Sequence, residues 1–286
     1  MKNHLNKKLI IGYIGKNSFL AKKFIAKYKH QFKFKLINLD IRDQKKIKKW
    51  FINNSDINIL INFAAITSVN ECDKNKLKSL NVNYKAPINL LDIINKSDLI
   101  DFRYFLAISS SHVFKPSKFK VRENSEKKPQ NYYGVTKYNL EKYILKNKDN
   151  YFFDIGIARI FNYYNNNLNK KFFINDMIKV LSSKKKTIYL NNIMTYRDFI
   201  SINDICCALH KMISSKLIGD FNICSGQKVY LPKIIHYINN NIKKKKLIFD
   251  NMKFNGIVGS NQKLKNKGWI LSTKNVFSEL SKCLKK

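Results

Sequence analysis

Tyr133 and Lys137 stand four residues apart in "NYYGVTKYNLEKY", with Gly134 and Thr136 between them. On a helix, positions four apart share a face, so the phenol and the ammonium would point the same way. Tyrosine titrates near pH ~10 and is a poor proton shuttle at neutrality, but a cation held close to it favours the phenolate and lowers that pKa. The pair could therefore act as one acid/base unit. The alternative is an exposed lysine beside a half-buried tyrosine on an ordinary helix, and so short a pattern does not by itself choose between them.

The elements around the pair narrow the choice. "LIIGYI" (9–14) is a short apolar run rich in β-branched residues; "GKNS" follows with Gly15 in the turn, then a helical pattern over 19–28. Strand, tight turn and helix form a phosphate-binding arrangement, because a helix N-terminus offers free N–H groups and the positive end of its dipole. Further strands are expected at "FKLINL", 57–65, 104–111 and 154–162, and helices at about 43–53, 77–95 (with Pro87 at a bend) and 131–146. Alternating strands and helices imply an α/β fold with a parallel, doubly wound sheet, whose ligands sit beyond the strand C-terminal ends. Ala64–Ala65, Ser109–Ser111 and Asn162 all fall at such ends. After Asn162 come a polar loop, a helix from "FINDMIKVL", a strand "KTIYL", a strand or loop "MTYRDF" leading into a helix, a late strand "DFNICS" (220–225), a helix over 231–242 and a final helix.

The 286 residues are enough for one large α/β domain or two smaller lobes, and 44% hydrophobic content is ordinary for a globular chain. No apolar run reaches membrane-spanning length, and the N-terminal stretch lacks the pattern of a signal peptide. The five cysteines, Cys72, Cys206, Cys207, Cys224 and Cys283, include no C-x-x-C pair; this fits free thiols in a reducing cytoplasm and no metal site. The net charge of +36 invites a nucleic-acid or anionic-membrane reading. The lysines are spread over the whole chain, however, alongside Asn, Ile, Phe and Tyr, all residues with AT-rich codons. Compositional bias accounts for that pattern without a nucleic-acid partner, and runs such as "KKKK" at 243–246 read as solvated helix ends or loops.

From about Lys8 to Trp269 the chain resembles an extended short-chain dehydrogenase/reductase of the NAD-dependent epimerase/dehydratase family, the group of sugar-nucleotide epimerases, dehydratases and dTDP-4-dehydrorhamnose reductase-like enzymes. "GKNSFLA" stands where the family has G-x-x-G-x-x-G, with Ser18 and Ala21 in place of the second and third glycines. A register starting at Gly12 is also open, but Phe19–Leu20 align better with Gly15 first. "LDIRD", "NFAAITSV", "NVNYKAPINLL", "ISSSHVF", "YGVTKYNLE", "ARIFN", "RDFISINDI", "FNICSG" and "NKGW" follow in the family's order.

The resemblance implies a Rossmann-type NAD(P)-binding domain over 1–162, completed by about 199–224, and a smaller interleaved substrate lobe over 163–198 and 225–286. It implies hydride transfer at a carbon of a nucleotide-activated sugar, in deoxysugar or surface-polysaccharide biosynthesis. Tyr133 would be the general acid/base. Lys137 would lower its pKa and hold the nicotinamide ribose, and Ser110, three residues before Val113, would orient the same sugar oxygen. NAD or NADP would be held by Gly15, Ser18, Phe19 and Leu20 at the turn, Asp40–Ile41 against adenine, Phe63, Ala64, Ala65 and Thr67 at a strand end, and Asn83 bracing it. Ser111, His112, Asn162 and Arg197 would face the substrate, Arg197 on its diphosphate. His112 is a further acid/base or a packed ring, and Arg197 could instead pair with Asp198 at the surface. The loop that chooses between NAD and NADP is missing from "FKLINLDIRD", so the 2′ contact stays open. The 4,6-dehydratases carry Asp-Glu where this chain has Ser111–His112, which argues against dehydration and leaves epimerase and reductase. The family also implies a homodimer through paired helices. A non-catalytic dinucleotide-binding regulator is the rival reading.

Overall fold

The structure is a computed structural model that describes residues 8–99, 101–164, 173–191, 193–242, 244–250, 256–273 and 275–284. In chain order the strands are β1 Ile10–Ile14, β2 Lys33–Ile37, β3 Ile59–Asn62, β4 Tyr104–Ser110, β5 Asp154–Ile160, β6 Asn162–Tyr164, β7 Thr187–Leu190, β8 Tyr196–Arg197, β9 Phe199–Ser201, β10 Gly219–Ile223, β11 Val229–Tyr230 and β12 Lys246–Phe249. The helices are α1 Phe19–Tyr28, α2 Gln44–Ile52, α3 Val69–Lys74, α4 Lys76–Leu80, α5 Ala86–Asn95, α6 Tyr132–Asn147, α7 Phe173–Ser182, α8 Ile202–Ser214, α9 Leu231–Asn241, α10 Gln262–Lys265 and α11 Val276–Leu284. The chain divides into two compact units whose segments alternate: Met1–Val113, Pro129–Arg159 and Cys206–Phe221 in the first, Phe114–Lys128, Ile160–Ile205 and Asn222–Lys286 in the second.

The first unit carries the parallel, doubly wound sheet, six strands in the order β10-β5-β4-β3-β1-β2. β1 pairs in parallel with β2 and β3, and β3 with β4, so these strands end at one edge: Ile14 opposite Ile37 and Asn62, and Asn62 opposite Ala107. β3 is buried along its whole length, as expected of a parallel strand covered on both faces. α1 buries Leu20, Ala21, Phe24 and Tyr28, one face at helical spacing, and α2 buries Ile47 and Phe51. The core joins Ile14, Ile37, Ile41, Phe51, Leu60, Leu90, Phe105, Leu140 and Ile157. α4 runs into α5 through a widened turn at Asn81–Lys85, just before Pro87 in the first turn of α5. A proline there cannot donate to the preceding turn, which explains the local widening.

The second unit has its own core of Ile174, Leu181, Ile188, Leu190, Phe199, Ile234, Ile235, Ile238 and Leu280. Its strands pair as β6 with β9, β8 with β11 and β7 with β12. The segment 114–128 joins this unit through Val121, which bridges to Gly259 and exchanges backbone bonds of 2.8 Å with Val258 and Ser260. β12 begins within the basic run at 243–246 that the sequence assigns to a loop or helix end. Lys245 there donates to the Ser183 and Lys185 carbonyls, and Asn239 holds its backbone at 3.0 and 3.1 Å. Of the polar stretch 163–171, expected as a loop, Tyr163 and Tyr164 instead extend β6 in its pairing with β9, and the rest lies outside the described residues. Among the described residues Cys72, Cys206, Cys207 and Cys224 are free thiols.

Two buried carboxylates organise the second unit. Asp204, expected as a helix cap, lies in the first turn of α8. It accepts from Ser201 Oγ (2.7 Å), Ser272 N–H (2.9 Å), Ser272 Oγ–H (2.5 Å) and Thr273 N–H (3.2 Å), so it ties the 272–273 segment to the helix rather than only capping it. Burial raises its pKa, but the hydrogen bonds from Ser272, Thr273 and Ser201 outweigh that, and the net direction is down. Its contribution is therefore present above the ordinary aspartate pKa of about 4 and lost as pH falls through the lowered folded value. Asp204→Asn would turn an amide donor toward backbone donors. A loss of about 2–3 kcal/mol is expected in denaturant unfolding, and it should shrink when the comparison is repeated near pH 3.

Candidate active site

Tyr133 and Lys137 both lie on α6, and both are buried, with relative exposures of 9% and 4%. Lys137 Nζ is 6.0 Å from the centre of the Tyr133 ring and donates to the Ile108 carbonyl of β4 at 2.8 Å. An exposed lysine on an ordinary helix is therefore not what the fold makes of this spacing. Burial pushes the Lys137 pKa down to about 8, against the opposing pull of Glu141 and Cys72. Ser110 ends β4 two residues beyond Ile108. Its Oγ accepts the His112 N–H at 3.3 Å, so its own proton remains for another acceptor.

The start of α6 explains how these groups meet. Asn131 is the N-cap, its Oδ1 accepting the Gly134 N–H at 2.9 Å. A Cβ on Gly134 would lie 2.3 Å from the His112 carbonyl oxygen, so only glycine lets α6 close onto the 111–113 turn. The cap also sets the state of His112. With Oδ1 facing a backbone donor, the Asn131 amide nitrogen faces His112 Nδ1 at 2.9 Å. Nδ1 must then accept, and the neutral ring carries its proton on Nε2. The ring stands edge-on to Tyr133, centroids 5.5 Å apart. Ser111 is buried at 4%.

Asn83, in the widened turn, is fully buried. Its Oδ1 accepts the Ile66 N–H at 2.8 Å, and its Nδ2 donates to the Ile66 carbonyl at 2.9 Å and to Thr136 Oγ1 at 3.2 Å. It fastens the end of the β3 strand segment to the helix that carries Tyr133 and Lys137. Thr67, next to Ile66, is exposed, and Ala64 and Ala65 are half-buried.

The β1–α1 turn gives each small residue a different task. Gly15 has φ +105°, and a Cβ there would come within 2.6 Å of the Ala64 nitrogen, so backbone lies against backbone. Ser18 needs no such freedom: its φ is −61°, and its Oγ caps α1 by accepting the Ala21 N–H at 3.3 Å. Ala21 is fully buried against the sheet. The cradle, together with a helix whose first turn carries no acidic residue, fits the pyrophosphate of a dinucleotide. Leu20, Ile41 and Phe63 are buried at 4%, 5% and 7%, and Phe19 is half-buried with Lys23 Nζ 5.5 Å from its ring centre. Asp40 is exposed and closed by Arg42, which donates from its backbone N–H (2.9 Å), Nε (3.0 Å) and NH2 (2.6 Å). The side-chain bond to Arg42 leads in taking the Asp40 pKa down to about 2.

Asn162 and Arg197 lie in the second unit. Asn162 pairs with Phe199, two residues from Arg197. Arg197 is partly buried, which lowers its pKa, and it donates to the Tyr196 carbonyl at 2.9 Å and Thr195 Oγ1 at 3.4 Å. Asp198 is no surface partner for it: it is fully buried and receives the Ser225 N–H and Oγ–H and the Gly226 and Gly259 N–H groups at 2.7–3.2 Å. The sequence assigns no site role to Asn131, Ser109, Glu141 or Arg159. Asn131 was visible as a cap candidate three residues before Gly134, and Glu141 as the next position on the Tyr133/Lys137 face.

Asn131→Asp preserves the cap but replaces the amide donor with an acceptor. In 15N NMR of the imidazole, the proton of His112 should move from Nε2 in the parent to Nδ1 in the variant, or both nitrogens should be protonated; an unchanged pattern would contradict the assigned tautomer.

A family model described as GDP-mannose 4,6 dehydratase matches residues 10–267. The chain is 26% identical over 219 residues to the GDP-6-deoxy-D-talose 4-dehydrogenase of Aggregatibacter actinomycetemcomitans, covering 74% of this chain and 73% of that protein. Its fold is similar to that of RMD from Pseudomonas aeruginosa complexed with NADPH, at a TM-score of 0.84 and 20% identity over 97% of this chain and 98% of that one. The UDP-glucose 4-epimerase of Thermus thermophilus in complex with NAD is similar at a TM-score of 0.78 and 14% identity, covering 93% of this chain and 95% of that one.

Proposed function

This chain belongs to the GDP-mannose 4,6-dehydratase family, and from that premise we propose that it is an NAD(P)-dependent oxidoreductase or epimerase acting on a nucleotide-activated sugar. Its place would be deoxysugar or surface-polysaccharide biosynthesis. The observation that carries the reading is a buried Lys137 that lies 6.0 Å from the Tyr133 ring centre and donates to the Ile108 carbonyl, two residues before Ser110 at the end of β4.

In the forward sense, Ser110 Oγ–H donates to the oxygen of a sugar carbinol and fixes it. Tyr133 takes the hydroxyl proton as the carbon becomes a carbonyl. A nicotinamide held there would accept the hydride that leaves the same carbon. Lys137, held by the Ile108 carbonyl, keeps a positive charge near the phenol, so the phenolate costs less than it would beside a neutral side chain. In reverse, Tyr133 protonates the oxygen of a reduced ketone. Elimination would need a further acid/base pair. Ser111 and His112 stand where 4,6-dehydratases carry theirs, and the His112 Nδ1 is committed to Asn131. The reading is therefore redox chemistry at one carbon, with a reductase consuming cofactor and an epimerase returning it. The activity of the talose relative, a 4-dehydrogenase, supports this choice. Gly15, Ser18 and the Ala64 backbone would hold the pyrophosphate, Arg197 and Asn162 the diphosphate of the substrate, with the chain paired as a homodimer in the cytoplasm. Among the described residues no helix is long and apolar enough to cross a membrane.

Calorimetry with NAD(H) and NADP(H) should give binding of at least one; a folded sample that binds neither would move the reading to a non-catalytic relative. With the preferred cofactor and a panel of nucleotide sugars, Tyr133→Phe should lower turnover by at least ~10²-fold with cofactor affinity unchanged. Retained turnover would sink the role of Tyr133. In the parent, kcat/KM should fall as pH rises through about 8, where Lys137 loses its proton.

A further inference from the structure

Beneath the Tyr133/Lys137 face lies a group of buried charges that the reaction does not use directly. Arg159, on β5, is completely buried. It donates to both carboxylate oxygens of Glu141, from Nε at 2.9 and 3.0 Å and from NH2 at 2.7 Å, and it pairs with Asp220 of β10 at 2.5 Å. Glu141, 2% exposed, also accepts from Ser109 Oγ at 2.5 Å. Such groups are costly to bury, and replacing a buried ion pair by apolar residues of the same volume is often neutral or stabilising. Stability is a weak reason for two buried charges and a third, Asp220, that is only partly exposed; their positions suggest another.

Tyr133, Lys137 and Glu141 are successive turns of one face of α6. Lys137 is fastened to Ile108, and Glu141 to Ser109, the two residues of β4 immediately before Ser110. Two bonds one turn apart on the helix thus grip two neighbouring residues of the strand. That fixes both the height of α6 along β4 and its rotation, and so places Ser110 against Tyr133. We propose that Glu141, backed by Arg159 and Asp220 and linked to Ser109, is a positioning residue that sets the register between the strand bearing Ser110 and the helix bearing Tyr133 and Lys137. The inference rests on the catalytic reading given above. It has an electrostatic side as well: the Glu141 carboxylate acts on the charge of Lys137, which also faces Tyr133 on its own helix, Cys72 on α3 and the Ile108 carbonyl on β4.

Glu141→Gln keeps the shape and removes the charge, leaving Arg159 to Asp220. The expected result is a folded protein with kcat about 100-fold lower, substrate KM within about twofold, and an alkaline limb displaced to lower pH than in the parent. Ser109→Ala cuts only the strand link and leaves the ion pairs in place, so kcat should fall about tenfold with the limb unmoved. Glu141→Asp keeps the charge but shortens the reach; it should restore the limb while kcat stays low. If Glu141→Gln fails to fold, the Ser109→Ala and Glu141→Asp pair still decides the question. An unmoved limb in Glu141→Gln, or full activity in Ser109→Ala, would overturn the proposal. An activity-independent measurement separates it from the functional reading: NMR titration of lysine-labelled protein should put the Lys137 midpoint lower in Glu141→Gln than in the parent. That shift in a protein that turns over no nucleotide sugar would keep the coupling and discard the reaction; identical midpoints would discard the coupling itself.

Discussion

A cation taken out of water must find partners where it is put, and Lys137 retains only 4% exposure. Its ammonium meets the Ile108 carbonyl and the field of Glu141, and either partner is useful only if α6 lies at one height and one rotation on β4. Much of the first unit serves that placement. Gly134 lets the helix start against the His112 backbone, Asn131 caps it, and Asn83 reaches from the widened turn to Thr136 on the same helix. Ser110 then needs no device of its own, because its strand has already been fixed from the helix side.

A second close approach governs the dinucleotide end. The backbones at Gly15 and Ala64 are too near for a side chain on the former, which brings the β1–α1 turn onto the end of β3. Among Gly15, Ser18 and Ala21 only the first uses a conformation that favours glycine. The serine contributes a cap, and the alanine fits a fully buried site. The departures from a three-glycine turn are thus compatible with the geometry, since neither substituted position requires positive φ. The short connection between β2 and α2 is closed by the Asp40–Arg42 pair and by Asp43, whose side chain caps α2.

The second unit uses carboxylates differently. Asp198 and Asp204 are both fully buried and both tie distant loop backbones, yet they titrate in opposite directions. Burial dominates at Asp198 and takes its pKa up to about 6, whereas hydrogen bonds from Ser272, Thr273 and Ser201 outweigh burial at Asp204. Asp198 gathers Ser225, Gly226 and Gly259 immediately beside Arg197, so the backbone next to that guanidinium is held in place.

The sequence by itself determined the alternation of strands and helices in the first unit, and with it the α/β class, though the short α3 at Val69–Lys74 was not among the expected elements. Hydrophobic period and turn residues are local signals, and α1 falls on the very residues, 19–28, that its apolar spacing marks. It also determined which residues could do proton chemistry, because Tyr133, Lys137 and the Ser109–Ser111 run lie in short stretches whose types and spacing are visible. β12 was not legible, since its Leu247, Ile248 and Phe249 are hidden behind a lysine run, and its partner β7 lies far back along the chain. Nor was the bond from Ser109 to Glu141: the offset before Val113 singles out Ser110 in a run of like residues, but only the packing of α6 on β4 gives its neighbour Ser109 a buried carboxylate. The same holds for Arg159: its strand was legible, but not that its side chain is the largest fully buried one among the described residues. Burial and hydrogen-bond partnership are properties of residues far apart in the chain, so tertiary structure alone could decide them.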